Sequence, residues 1–189
     1  MARSAFPMAF CLAVALCLSG PSARAAPGSV FTVRRVDFSG LLVHLGGEAR
    51  PLAYTEGEVI AVEPGGCVLR TEGRSRRFAL RPDCPIFVNG HPGVPWAMRP
   101  VAPDAFFWAG IWSRAEEAAA IEAVYCGGEL MVLESFPEEL TGWSPEIREV
   151  FHLPVRPGKA LGDLRPGQSV YVLLDLEGRV RWAKALDGP

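Results

Sequence analysis

The chain is cut by glycine or proline at nearly every step, and the apolar runs between these breaks are short. Strand-like runs fall at residues 30–36, 41–45, 58–62, 67–71, 77–81 and 86–88, and again at 105–112, 121–125, 129–134, 147–153, 169–176 and 179–186. Pro64-Gly65-Gly66, Glu72-Gly73, Asn89-Gly90, Cys126-Gly127-Gly128 and Glu177-Gly178 stand between runs as turns require. Such spacing leaves little room for helices of ordinary length and predicts an all-β protein of short strands, a sandwich or small barrel. One segment conflicts locally. Ser113-Arg114-Ala115-Glu116 fits a helix capping box, and 116–123 is rich in helix formers. The expectation there is a single helical turn at 114–119, then a strand from Ile121.

Two stretches share an order of elements. Gly57-Glu58-Val59-Ile60 opens one and Gly128-Glu129-Leu130-Met131 the other. Arg77-Phe78-Ala79-Leu80 parallels Val150-Phe151-His152-Leu153, and Trp96-Ala97-Met98-Arg99-Pro100 parallels Gly162-Asp163-Leu164-Arg165-Pro166. A strand follows each, Phe106-Phe107-Trp108 or Tyr171-Val172-Leu173, and a last strand closes each. The expected organisation is a signal segment at 1–25, an N-terminal hairpin at 26–56, a first module at 57–126 and a second at 127–189.

This order resembles a small OB-like β-barrel domain of unknown function found in many secreted bacterial proteins. Leu164-Arg165-Pro166-Gly167-Gln168-Ser169-Val170 is the best local fit, while Met98-Arg99-Pro100-Val101-Ala102-Pro103 lacks the glycine. The resemblance implies two tandem OB-like or meander barrel modules with little helix. It rests on scaffold positions and implies no catalytic residue.

The first 25 residues read as a secretory signal. Arg3 and the amino terminus supply positive charge, residues 6–18 are apolar, and Ala23-Arg24-Ala25 offers small residues for cleavage after Ala25. The apolar run is shorter than the ~18–20 residues that span a bilayer. Cys11 follows Phe10 and Cys17 follows Leu16, so neither suits lipid attachment. Export implies an extracytoplasmic protein, secreted or periplasmic, with no span after cleavage. Loss of Arg3 and Arg24 leaves 17 basic side chains against 21 acidic, a net charge of −4. That charge and the export signal exclude nucleic acid as partner. Only Lys159 and Lys184 are lysines, a skew that reads as codon usage in a GC-rich genome.

The aromatic strand is the strongest binding candidate. Phe106, Trp108 and Trp112 share one face, with Gly110 between them, and Phe107, Ala109 and Ile111 share the other. One face fills a core. The other packs against a second layer or stacks on a ligand, a glycan or peptide of the envelope. Cys67, Cys84 and Cys126 remain after cleavage. Cys67 and Cys84 are the disulfide candidates, although a turn at Gly73-Arg74 would set Cys67 opposite Leu80, about 13 Å short of Cys84.

Gly65-Gly66-Cys67-Val68-Leu69-Arg70 resembles the cysteine motif of L,D-transpeptidases, but Pro64-Gly65 stands where that family carries Ser-His. His44, His91 and His152 are scattered, no Gly-x-Ser-x-Gly occurs, and Glu116-Glu117 and Glu138-Glu139 point apart as neighbours on a strand do. Nothing calls for a cofactor. The reading is a non-enzymatic binding or adaptor protein of the bacterial envelope. The alternatives are a cysteine-dependent envelope enzyme, with Cys67 or Cys84 as nucleophile, or an exported metal-binding protein.

Overall fold

Turn chemistry sets the register of the first meander. The computed structural model describes residues 31–38 and 52–186. Strand β1 (Ala53–Glu63) turns through Pro64 and Gly65 into β2 (Gly66–Thr71), with Gly65 at φ 71°. Glu72 and Gly73 then both take positive φ, 48° and 76°, and join Thr71 to Arg74 at the start of β3 (Arg74–Leu80). This is the mirror-image turn whose twist suits a hairpin. The two-residue loop is therefore Glu72-Gly73, not Gly73-Arg74, and Cys67 lies opposite Phe78 rather than Leu80.

The first sheet is completed by β4 (Ile86–Val88), β5 (His91–Pro92), a 3-10 turn at Pro95–Met98, β6 (Phe107–Arg114) and β7 (Glu117–Val124). Its order is β3-β2-β1-β6-β7-β4-β5, and β3 also pairs with β7 in parallel. The pairings β1-β2-β3-β7-β6-β1 thus run in a ring. Inside it lie Val59, Leu69, Phe78, Ile111 and Ile121, with Met98 of the 3-10 turn fully buried among them.

The second sheet comprises β8 (Gly127–Ser135), β9 (Glu139–Ser144), β10 (Glu149–Pro154), β11 (Ser169–Leu174) and β12 (Val180–Ala185), in the order β10-β9-β8-β11-β12. Val155, just past β10, bridges in parallel to Val180 of β12. Leu130, Val132, Leu140, Val170, Val172 and Leu174 form its core, and Leu164 packs on it from the β10–β11 loop. The protein is all-β, with two sheets of like strand order.

Bulges recur at like places. Ile60 is skipped between the β1–β2 pairs, and Leu133 between the β8–β9 pairs. Ala119 is the extra residue of β7, and Arg181 the extra residue of β12. A bulge re-aims the side chain it carries, and Arg181 is the case that matters below.

Three local expectations change. The segment Arg114–Glu117 is a tight hairpin with Ala115 at φ 54°, not a helical turn. Seven register pairs between β6 and β7 outweigh the local helix preference. Residues 31–38 form no strand; they cross both sheets as an irregular strap. Phe31 enters the second core, Val33 lies against Trp108, and Phe38 packs on Phe87 and Ala120. The expected strand at 41–45 lies outside the described residues.

Gly127 opens β8 beside β11, and a Cβ there would collide with the Val172 carbonyl oxygen. Backbone cannot swing away as a side chain can. Gly127→Ala should cost about 3 kcal/mol, the upper range for overpacking. Gly178, at φ 77° with open space around it, should cost about 1 kcal/mol as alanine. Urea unfolding of the two variants measures both.

Candidate functional site

The outward face of β6, for which the sequence leaves packing and ligand stacking both open, lies against other parts of the chain. Phe107, Ala109 and Ile111 point into the first core. Trp108 points outward yet is only 6% exposed. The Arg156 guanidinium lies 4.3 Å from its ring centre and that of Arg181 5.5 Å away. Val124, Leu176 and Val33 complete its surroundings, and its Nε1–H finds no acceptor. Trp112 is flanked by Phe38 at 4.5 Å and Tyr54 at 4.8 Å. Phe106 lies beneath the Arg70 guanidinium, 4.9 Å away. Trp108 thus meets the second sheet, Trp112 the strap, and Phe106 an arginine of its own sheet.

Charged side chains interlock around Trp108. Arg181 donates to Glu58 Oε1 (3.2 Å), to the Leu174 carbonyl (3.0 Å) and to the Phe106 carbonyl. Glu58 also receives two bonds from Arg70 on its other oxygen, 2.9 and 2.7 Å. Arg156 donates to Glu56 (3.3 Å) and Asp175 (3.0 Å). Asp175 is fully buried and also accepts the Glu177 and Arg179 backbone N–H groups and Arg179 Nε. Burial pulls the Arg181 guanidinium down to about 10, against the charges of Glu58 and Asp175 that hold it up.

The strap is tied to the same surface. Glu122 of β7 is fully buried and accepts Val36 N–H at 2.7 Å and Arg35 Nε at 2.9 Å. Arg35 also donates to the Leu176 carbonyl in the second module. Desolvation pushes the Glu122 carboxyl above its ordinary range, against the pull of Val36 N–H and Arg35.

The disulfide candidates Cys67 and Cys84 are free thiols in this structure. Cys67 and Cys84 sit at the first core and Cys126 in the second. Burial pushes Cys67 and Cys84 up to about 12 and Cys126 up to about 11. Cys84 borders a cleft of about 160 Å³ with Arg81, Asp83, Arg114 and Glu117. Another cleft, about 350 Å³, lies between the strap's Thr32 and Arg34 and the side chains of Asn89, His91 and Tyr125. Among the described residues, no three His, Cys, Asp or Glu side chains gather as metal ligands, and no helix is long and apolar enough to cross a membrane.

One apolar face is left open. Register aligns Val150 of β10 with Trp143 of β9, and Trp143 with Met131 of β8. Their neighbours Leu130, Leu140 and Leu153 fill the core, so this row points outward. Val150 is half exposed, Trp143 and Met131 partly so, and Phe136 in the β8–β9 turn is 57% exposed. Sequence reading missed this row, because the three residues stand on different strands and become neighbours only through register. It missed Arg156, Asp175 and Arg181 for the same reason.

Arg181→Ala leaves Glu58 and two carbonyls short of a donor and should destabilise the protein by about 3–5 kcal/mol. Trp108→Ala should cost a similar amount, about 3–5 kcal/mol. Arg181→Met keeps contact with Trp108 and should cost less than Arg181→Ala. Thermal and urea unfolding rank the three. A separate expectation concerns alkali. The native thiols hold protons that unfolded thiols release above about pH 9. Stability should be unaffected below that pH and fall as pH rises toward 11–12, where the folded thiols ionise. Replacing all three cysteines by alanine should remove this part of the pH dependence.

No known protein family matches this chain, and no curated protein matches it.

Proposed function

We propose that this chain is an exported, non-enzymatic binding or adaptor protein of the bacterial envelope, made of two OB-like modules repeated in tandem. The observation that carries the binding role is the open row Val150–Trp143–Met131 on a sheet whose other face is a closed core. Exposed apolar rows on otherwise polar surfaces mark interaction sites. The like strand orders and matched bulges support the repeat. The charged basic–apolar–small-residue order of residues 1–25 supports export. The partner is an envelope protein, peptide or glycan.

The thiols argue against the cysteine-enzyme reading. A nucleophilic cysteine is partly exposed and has its pKa lowered by positive charge or a paired histidine. Cys67 is 1% exposed, and burial drives its thiol the opposite way. Its Gly-Gly-Cys segment starts β2 directly after a turn, a strand position with an ordinary packing role.

Protein recovered from its native host should begin at Ala26 and lie outside the cytoplasm. N-terminal sequencing and cell fractionation check this, and an intact Met1 on cytoplasmic protein would refute export. Iodoacetamide at neutral pH should label no thiol in the folded protein within minutes and all three after unfolding. Rapid labelling of Cys67 alone would restore the enzyme reading.

A further inference from the structure

The open row on the second sheet sits in an acidic stretch of the chain. Residues 127–154 hold six glutamates against one arginine, Arg148, a net charge of −5 in a chain whose total is −2. Glu139 is 3.4 Å from His152. The other five, Glu129, Glu134, Glu138, Glu146 and Glu149, are exposed and make no ion pair among the described residues. The contrast with the module junction is sharp: there Glu56, Glu58, Glu122 and Asp175 are each held by an arginine.

Strand geometry puts these charges around the row. Glu129 lies two residues before Met131 on the same face of β8. Glu146 is in the turn between Trp143 and Val150, whereas Glu149, paired with the buried Ser144, starts β10 on the opposite face. Glu134 and Glu138 flank Phe136 at the β8–β9 turn. The surface is thus an apolar strip of Met, Trp and Val, extended toward a phenylalanine and edged with unpaired carboxylates. Such a rim repels anions, including acidic glycans, and attracts cations.

We propose that the outer face of β8–β10 docks a cationic, apolar peptide segment of another protein, with lysine or arginine side chains over the glutamates and aliphatic side chains on Met131, Trp143 and Val150. This rests on the binding-protein reading above and names its partner class. The apolar strip supplies contact area, and the charges select the partner's sign and speed its approach. Because the rim is exposed, its attraction is screened by salt.

The test uses the exported chain and three labelled probe peptides of about equal length: leucine–lysine amphipathic, leucine–glutamate amphipathic, and serine–lysine. Fluorescence anisotropy should show binding of the leucine–lysine peptide only, weakening as salt rises. Amide NMR shifts should map to β8–β10. The variant Glu129→Lys/Glu134→Lys/Glu138→Lys should weaken binding about tenfold or more, and Val150→Ser should also weaken it. Both change exposed side chains and should leave the melting temperature nearly unchanged. Three results would overturn the proposal: binding of the leucine–glutamate peptide as tight, equal binding of the serine–lysine peptide, or shifts confined to the strap cleft. Dimerisation of the chain through this face would also overturn it. If a neutral oligosaccharide moves the same amides while no peptide binds, the partner class is wrong but the binding-protein reading stands. If the chain is not exported, that wider reading fails whatever the peptides do.

Discussion

The stacking of two arginines on Trp108 is the contact on which the joining of the two modules depends. Trp108 belongs to the first sheet, Arg181 to the second, and Arg156 to the β10–β11 loop of the second. A guanidinium over an indole face gains from the ring's quadrupole, and more so when water is excluded. Neither cation could stay buried on that gain alone. Each finds a carboxylate from β1, Glu56 for Arg156 and Glu58 for Arg181. Two charged pairs and one aromatic ring thus fix the β12 end of one sheet against the β1–β6 surface of the other.

Two β-bulges show how like strand orders yield unlike surfaces. Ala119 and Arg181 are the extra residues of β7 and β12, the final strands of their sheets. Alanine at the first lines a small cleft beside Cys84. Arginine at the second reaches across to Glu58 and the Phe106 carbonyl. The bulge frees that side chain from the alternation of its strand. Desolvating a guanidinium costs free energy that a hydrophobic residue would not. What the arginine adds is direction: one partner, Leu174, lies on its own sheet's β11, and two, Glu58 and the Phe106 carbonyl, lie on β1 and before β6 of the first.

Much of the fold was legible because turns and alternation are local. Glu72-Gly73, Asn89-Gly90 and Pro64-Gly65 sit at hairpin turns, and nearly every expected strand overlaps an observed one. Local rules failed where distant pairing decides the outcome. Ser113–Glu116 carries a capping box, yet β6 and β7 pair on either side of Ala115-Glu116 and bend it into a hairpin. The apolar residues 31, 33, 36 and 38 look like a strand, but they fill separate cores, and Val36 N–H goes to Glu122 rather than to a neighbouring strand. For Phe106, Trp108 and Trp112, alternation gave the correct outward face for the tryptophans but not what covers it. That depends on Arg156 and Arg181, 48 and 73 residues further along from Trp108.

The scarcity of lysine acquires a structural meaning at this junction. A skew in composition toward arginine does not by itself say why these positions could not do with lysine. Arg181 uses Nε and both terminal nitrogens on three different acceptors while its plane faces Trp108. An ammonium offers three donors around a single point and no flat face to lay on the ring. Arg179 likewise bonds Asp175 through Nε and Glu177 through a terminal nitrogen, 2.8 and 2.7 Å. Where a guanidinium is buried, its fork of donors is what keeps every neighbouring acceptor satisfied, and replacing it by lysine would strand at least one of them in a place water does not reach. On the outer face of β8–β10 no such geometry is demanded, and there the chain carries glutamates without arginines to answer them. At the junction arginines close the molecule around the carboxylates of Asp175 and Glu58, and on the outer face of β8–β10 glutamates are left without such partners.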